Sequence, residues 1–243
     1  MMKKIKKILS KKNKRPLVCL TAYSKTFAQI IDKSCDMILV GDSLANVLYG
    51  MKNTHKISLD IMIKHALSVR LGVKKSLLIV DMPKNTYETK KDALTNAKKI
   101  ISTTRCEAVK LESNNKNYNI IQHLVKSGIP VMGHIGYTPQ FKRKFRSCGQ
   151  NQKEKNKLIN EAKNIEAAGA FSIVLEGITS KTSKEITDQL KIVTIGIGSS
   201  VNCDGQILVT DDLLGLSGFY PKFVKKYVKI DKIIEKGVQK YKS

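Results

Sequence analysis

Four acidic residues carry most of the chemistry available to this sequence. Asp42, Asp81, Glu112 and Glu176 close or follow short apolar runs, in ILVGD, LLIVD, AVKLE and IVLE. Two unit charges about 4 Å apart repel by about 4 kcal/mol at an effective dielectric of about 20, so acids gathered at one rim call for a cation among them. The chain has no Cys or His cluster, and carboxylate oxygens favour a hard ion such as Mg²⁺ over zinc. Lys110 precedes Glu112 by two residues, so in an extended strand both point to one face. A Lys buried there needs carboxylate or substrate partners. His134, in GHIGYTPQ, is either a polar member of the same site or a core histidine with its hydrogen bonds satisfied. Gly196 and Gly198, in TIGIGSS, either let a ligand approach the backbone or mark close packing.

To bring four acids to one rim, the apolar runs must be strands that end together. Eight such runs lie at 16–23, 37–42, 76–82, 108–112, 130–137, 171–178, 192–199 and 205–212. Their continuous apolar, β-branched character is that of strands buried on both faces. Between them, Phe27, Ile30 and Ile31, then Met62, Ile63, Ala66 and Leu67, then Ile120, Ile121, Leu124 and Val125 recur at helical spacing. Ser58 and Thr89 are placed to cap helices, and Gly128 and Gly169 to stop them. The basic stretch 141–157 reads as a loop leading into a helix at 156–168. The alternation predicts an α/β fold, a single (β/α)8 TIM-type barrel with an N-terminal helix, whose acids lie at the strand C-terminal ends where barrel enzymes build their sites. One domain is expected over 1–243, with a basic N-terminal segment at 1–15 and a basic C-terminal helix or tail at 228–243. The spacing supports the eighth strand least, because only residues 200–204 precede it and a helical crossover needs a dozen or more.

The formal net charge of +24 taken alone suggests nucleic acid or an anionic surface. Its distribution argues otherwise. Residues 1–15, 142–157 and 222–243 carry net charges of +8, +6 and +6, and the excess is 39 Lys against 5 Arg. Arg forks are what phosphate and base recognition favour, and aromatics for stacking are few at 6%. No specific nucleic-acid partner is expected. No apolar run is long enough to span a membrane, and the first residues lack the apolar core of a secretory signal, so a soluble cytoplasmic protein is expected. The five cysteines show no paired spacing and read as ordinary thiols.

At its site residues the chain resembles the ketopantoate (3-methyl-2-oxobutanoate) hydroxymethyltransferases, through LTAYS, ILVGDSLANVLYG, VDMP, VKLE, GIPVMGHIGYTPQ, IVLEGI and TIGIGSSVNCDGQILVTDDLLGL. The resemblance implies that Asp42, Asp81 and Glu112 coordinate Mg²⁺, and that Asp42, Ser43, Asp81, Lys110 and His134 contact the oxo-acid. Glu176 would be the proton acceptor. It further implies 5,10-methylenetetrahydrofolate as co-substrate, 2-dehydropantoate as product, a place in pantothenate and coenzyme A biosynthesis, and a homo-oligomer, often a decamer. Ser24, Ala45 and Ser113–Asn114 stand where the family has Asp, Gly and Gly-Gly, and KFRSCGQ at 144–150 replaces a glycine-rich segment. Two other readings compete. A relative of the phosphoenolpyruvate mutase and isocitrate lyase group would also form an enolate beside Mg²⁺, but GHIGYTPQ and DGQILV argue against it. A basic nucleic-acid-binding protein on a barrel scaffold would leave the acids without a role.

Overall fold

The computed structural model describes residues 2–113, 117–142, 144–218 and 220–242. The chain opens with α1 (Met2–Leu9), β1 (Leu17–Thr21), α2 (Lys25–Ile31), β2 (Met37–Val40), α3 (Leu44–Val47), α4 (Leu59–Gly72) and β3 (Leu77–Asp81). It continues through α5 (Lys90–Thr104), β4 (Ala108–Lys110), α6 (Tyr118–Lys126), β5 (Val131–Gly136), α7 (Gln152–Ala167), β6 (Ser172–Glu176) and α8 (Ser180–Gln189). The last elements are β7 (Val193–Ile197), β8 (Gly205–Leu208), α9 (Thr210–Leu214) and α10 (Ile230–Lys242). The strands are all parallel and close in sequence order, β8 returning to β1 with Leu17 opposite Gly205. This is the expected (β/α)8 barrel with an N-terminal helix.

Strand parity divides the core in two. Met37, Leu39, Leu77, Ile79, Ala108, Met132, Val174, Val193 and Ile195 fill the barrel interior, whereas Ile38, Val40, Leu78, Val80, Val109, Ile173 and Leu175 pack outward under the helices. Helix caps agree with the sequence: the Ser58 side chain accepts from Ile61 N, and Thr89 accepts from Asp92 N. Gly128 and Gly169 follow α6 and α7 with φ of 81° and 92°. Three expectations need correction. The helix expected at 156–168 begins at Gln152, because Asn151 caps it by accepting from Glu154 N at 2.9 Å. Ile30, expected on a covered face, is 64% exposed, and α2 buries only Ala28; Leu67, expected beside Met62, Ile63 and Ala66 on the covered face of α4, is 42% exposed.

The eighth strand forms without a helical crossover. The chain returns from Ile197 to Gly205, which pairs with Ile195. Asp204 secures that short return: its carboxylate accepts from Thr194 N at 2.8 Å and Thr194 Oγ1 at 3.0 Å, and meets Lys12 Nζ at 2.6 Å. Other N-terminal cations likewise hold acids that immediately precede strands. Lys11 and Arg15 pair with Asp36 at 2.5 and 2.6 Å, and Lys4 pairs with Glu107 at 2.9 Å. Ile5 and Ile8 of α1 join the interior cluster and close that end of the barrel. Part of the N-terminal charge is thus a set of struts across the barrel floor.

Candidate active site

At the opposite end, the inward rows change from apolar to polar. Ile79 is followed two residues on by Asp81, Ala108 by Lys110 and then Glu112, Met132 by His134, and Val174 by Glu176. The period of two that fills the interior therefore also aims these side chains into the barrel mouth. Asp42 breaks the parity. The inward position after Leu39 is Gly41, where an added Cβ would lie 2.9 Å from Ser43 Oγ and 3.5 Å from Asp81 Oδ2. The missing side chain leaves room for Asp42 and Ser43 to turn in.

Asp42, Asp81, Lys110, Glu112 and His134 are all buried, and Glu176 keeps 17% of its side chain exposed. Lys110 Nζ pairs with Asp81 Oδ1 at 2.7 Å, and Asp81 Oδ2 accepts from Asp42 N at 3.0 Å. His134 lies between two acids, with Nε2 3.1 Å from Glu176 Oε2 and Nδ1 3.8 Å from Glu112 Oε1. Ser43 Oγ shares a hydrogen bond with Tyr23 OH at 2.8 Å.

Gln140, which sequence reasoning passed over, ties these groups together. Its Nε2 donates to Asp42 Oδ2 at 2.9 Å and to Met82 O at 3.1 Å, while its backbone N donates to Glu112 Oε2 at 3.0 Å. Tyr87 OH donates to its Oε1 at 2.5 Å. The available signal is its place at the end of GHIGYTPQ, a motif in which His134 alone stands out as a site residue.

The electrostatics describe a site with excess negative charge. Burial, reinforced by the charge of Asp81, pushes the Asp42 carboxyl up to about 6. Burial and then Asp42 push Glu112 well above the usual carboxylate range. Burial lifts Glu176 to about 8, partly opposed by Lys110. For Lys110 burial favours the neutral form, but Asp81, Asp42 and Glu112 outweigh it and hold the ammonium charged. Burial keeps His134 neutral well below its ordinary range. Lys110, joined at Glu176 by Lys142, thus faces several carboxylates.

Among the described residues, no three His, Cys, Asp or Glu side chains are gathered closely enough to hold a metal as they stand. Lys110 and Gln140 engage the acids instead. The donor set still fits a hard divalent cation: it is all oxygen, it carries more negative charge than Lys110 neutralises, and Asp81 Oδ1 is buried with the Lys110 ion pair but no hydrogen bond.

The two glycines of TIGIGSS are packing positions. An added Cβ at Gly196 would lie 3.1 Å from Cys203 Sγ, and one at Gly198, where φ is 54°, would lie 2.5 Å from the Phe223 ring. The unusual 144–150 segment is tied down beside Glu176. Cys148 N donates to Gly177 O at 2.8 Å, Thr179 N donates to Cys148 O at 2.9 Å, and the Phe145 ring packs against Tyr137 and Phe223. Of the other departures, Ser24 is the extended N-cap of α2, Ala45 is buried in α3, and Asn114 lies outside the described residues.

A closed parallel barrel with acids, a lysine and a histidine at the C-terminal mouth defines a (β/α)8 barrel of the enzyme type. The family described as ketopantoate hydroxymethyltransferase matches residues 2–243, and the chain belongs to that family. It is 53% identical to the 3-methyl-2-oxobutanoate hydroxymethyltransferase of Pelagibacter ubique (strain HTCC1062), over 100% of this chain and 94% of the relative. It is 45% identical to the enzyme of the same name from Rhizobium etli, over 97% of this chain and 88% of that one. Among solved structures, the phosphoenolpyruvate phosphomutase of Streptomyces platensis subsp. rosaceus shares the fold with a TM-score of 0.67. That likeness covers 87% of this chain and 81% of the other at 9% identity. The group weighed as a competing reading is therefore a neighbour in fold, while sequence places the chain among the hydroxymethyltransferases. Among the described residues, no helix is long and apolar enough to cross a membrane.

Proposed function

We propose that the protein transfers a hydroxymethyl group from 5,10-methylenetetrahydrofolate to 3-methyl-2-oxobutanoate, with water, giving 2-dehydropantoate and tetrahydrofolate. The observation that carries this reading is the division of the mouth. Asp42, Asp81 and Lys110 form one linked group, while Glu176 stands on β6 beside neutral His134, lifted to about 8. A carboxylate of raised basicity set apart from a charged binding group suits proton abstraction next to a carbonyl.

Asp42, Asp81 and Glu112 are the residues that would hold Mg²⁺. When bound there, the ion supplies Lewis acidity toward the carboxylate and 2-oxo oxygens of the substrate. Glu176 takes the proton from C3 of the oxo-acid. His134 Nε2, 3.1 Å away, is placed to donate to that carboxylate once it is ionised, and Ser43 and Lys110 contact the substrate. The Lys110 ammonium stabilises negative charge as it develops on the 2-oxo oxygen. As C3 bonds to the folate methylene, the methylene–N10 bond breaks and N10 takes the proton that Glu176 removed; water then replaces N5 at the methylene, leaving its hydroxyl on carbon and its proton on N5, and tetrahydrofolate is released. Pantothenate and coenzyme A biosynthesis in the cytoplasm, within a single 1–243 domain assembled as a homo-oligomer, is the setting that accords with family membership.

The test is an assay of purified protein with Mg²⁺, the oxo-acid and methylenetetrahydrofolate. Formation of 2-dehydropantoate is expected, and its absence from protein that binds both substrates would overturn the reading.

A further inference from the structure

A cavity of about 710 Å³ opens beside the site, between the loop that leaves β3 and the start of α6. Its size is that of a small-molecule site, for which about 300–1,000 Å³ is usual. Two of its lining residues bond to the residues that surround the acids, one at the Gln140 amide and one at the Glu112 backbone. Tyr87 OH donates to Gln140 Oε1, and Asn117 Nδ2 donates to Glu112 O at 2.8 Å. Tyr87 is itself buried, and Phe141, 42% exposed, supplies the aromatic surface. The remaining character is cationic: Lys84, Lys90 and Lys91 line the cavity against the single carboxylate of Glu88. Lys84 Nζ lies 3.5 Å from His55 Nδ1, and His55 Nε2 lies 3.0 Å from Pro139 O, so this ammonium is held next to the Pro139–Gln140 segment. Lys90 and Lys91 are exposed on the first turn of α5.

We propose that this cavity receives the carboxylate-bearing glutamyl tail of the folate cosubstrate, an assignment that rests on the function proposed above. A folate is long: its methylene must reach the oxo-acid among the acids, and its benzoyl ring and glutamyl carboxylates must lie elsewhere. The acids repel those carboxylates. The cavity adjoins the site through Tyr87 and Asn117, offers aromatic surface at Phe141, and supplies three ammonium groups to a polyanion. Further glutamates add carboxylates without changing the reacting end, so affinity should rise with their number. Exposed ion pairs are individually weak, which sets the gain at about twofold for each pair and about tenfold for the set of three.

The experiment titrates tetrahydrofolate bearing one or three glutamates onto the Mg²⁺-loaded full chain. Wild type is expected to bind the triglutamate about tenfold more tightly. The Lys84→Ala/Lys90→Ala/Lys91→Ala variant should reduce that preference to about twofold or less. Lys153→Ala/Lys163→Ala/Lys181→Ala, which removes equal charge from exposed positions on α7 and α8, should keep it. Equal binding of both folates by wild type, or a preference retained by the cavity variant, overturns the proposal. The readout is a binding equilibrium without turnover, so it separates from the transfer assay. Product formation without a glutamate preference overturns the cavity assignment alone, whereas a preference without product overturns the transfer reading and leaves the cavity assignment supported.

Discussion

His134 Nε2 and Glu176 Oε2 approach to 3.1 Å across the β5–β6 pair, where His134 is registered against Val174 and Gly136 against Glu176. The imidazole is buried and held neutral, and its Nε2 lies beside Glu176 Oε2 without a formed hydrogen bond, so a small turn toward the ionised carboxylate lets it donate one without competing for its proton. Glu176→Gln should slow solvent deuterium exchange at C3 of the oxo-acid by about 10²–10⁴-fold, the usual contribution of a general base. His134→Ala should slow it by about 10–100-fold, the worth of a hydrogen bond to a charged group. Exchange followed by proton NMR without folate checks both, and an unaltered rate in Glu176→Gln would remove it as the base.

The raised acids set a pH dependence. Glu176 must be ionised to act, so exchange should rise with pH toward its pKa of about 8, and a bound cation should move that midpoint down. Stability runs the other way. A carboxyl whose folded pKa exceeds its unfolded value favours the fold below the unfolded value and loses that contribution as pH rises through the folded one. For Asp42 the window runs from 3.8 to about 6, and for Glu176 from 4.5 to about 8. Thermal unfolding of Mg²⁺-free protein should therefore show a contribution lost between these limits, recovered at pH 8 by adding Mg²⁺. A melting temperature that Mg²⁺ leaves unchanged at pH 8 would count against the acid cluster as its site.

Gln140 bridges two of the acids, so its loss should affect ion binding before it affects chemistry. Gln140→Ala leaves Asp42 Oδ2 and Tyr87 OH without the partners they have now. An unfolding cost of about 1–3 kcal/mol is expected for the stranded polar groups. Mg²⁺ affinity should fall by about 10–100-fold, as for other residues that orient metal-binding carboxylates. Calorimetric titration of Mg²⁺ beside a denaturant melt measures the two effects separately.

Asp204 substitutes for the missing crossover helix. Asp204→Ala strands Lys12 and removes the acceptor for both Thr194 donors. Breaking a buried ion pair from one side costs about 3–5 kcal/mol, so the variant should lose a large share of its stability. A companion Lys12→Met change should restore part of it, since an apolar residue can fill the space without an unpaired charge. Denaturant unfolding of the single and double variants decides the matter.

The fold was largely legible because it depends on local alternation. Runs such as SLLIVDM and FSIVLEGI declare buried strands by their residue types, and the cap signals at Ser58 and Thr89 act within three residues. The acids were legible for the same reason: the parity that buries Ile79 and Ala108 also turns Asp81, Lys110 and Glu112 inward. The start of α7 was misplaced because the basic, polar stretch hid an Asn151 cap. The exposure of Ile30 depends on what packs beside α2, which periodicity does not specify.

The sequence alone determined the order of the strands, the barrel class and which acids lie at its mouth, since each follows from short-range residue pattern. Only the tertiary structure decided which groups answer those acids. Gln140 reaches Asp42 from 98 residues away, and Lys12 reaches Asp204 across 192. Those pairings exist because barrel closure brings the start of the chain against its eighth strand and folds the loop after β5 over the ends of β2 and β4. A side chain's direction is set by its immediate neighbours in the chain, but its partner is set by the closed sheet.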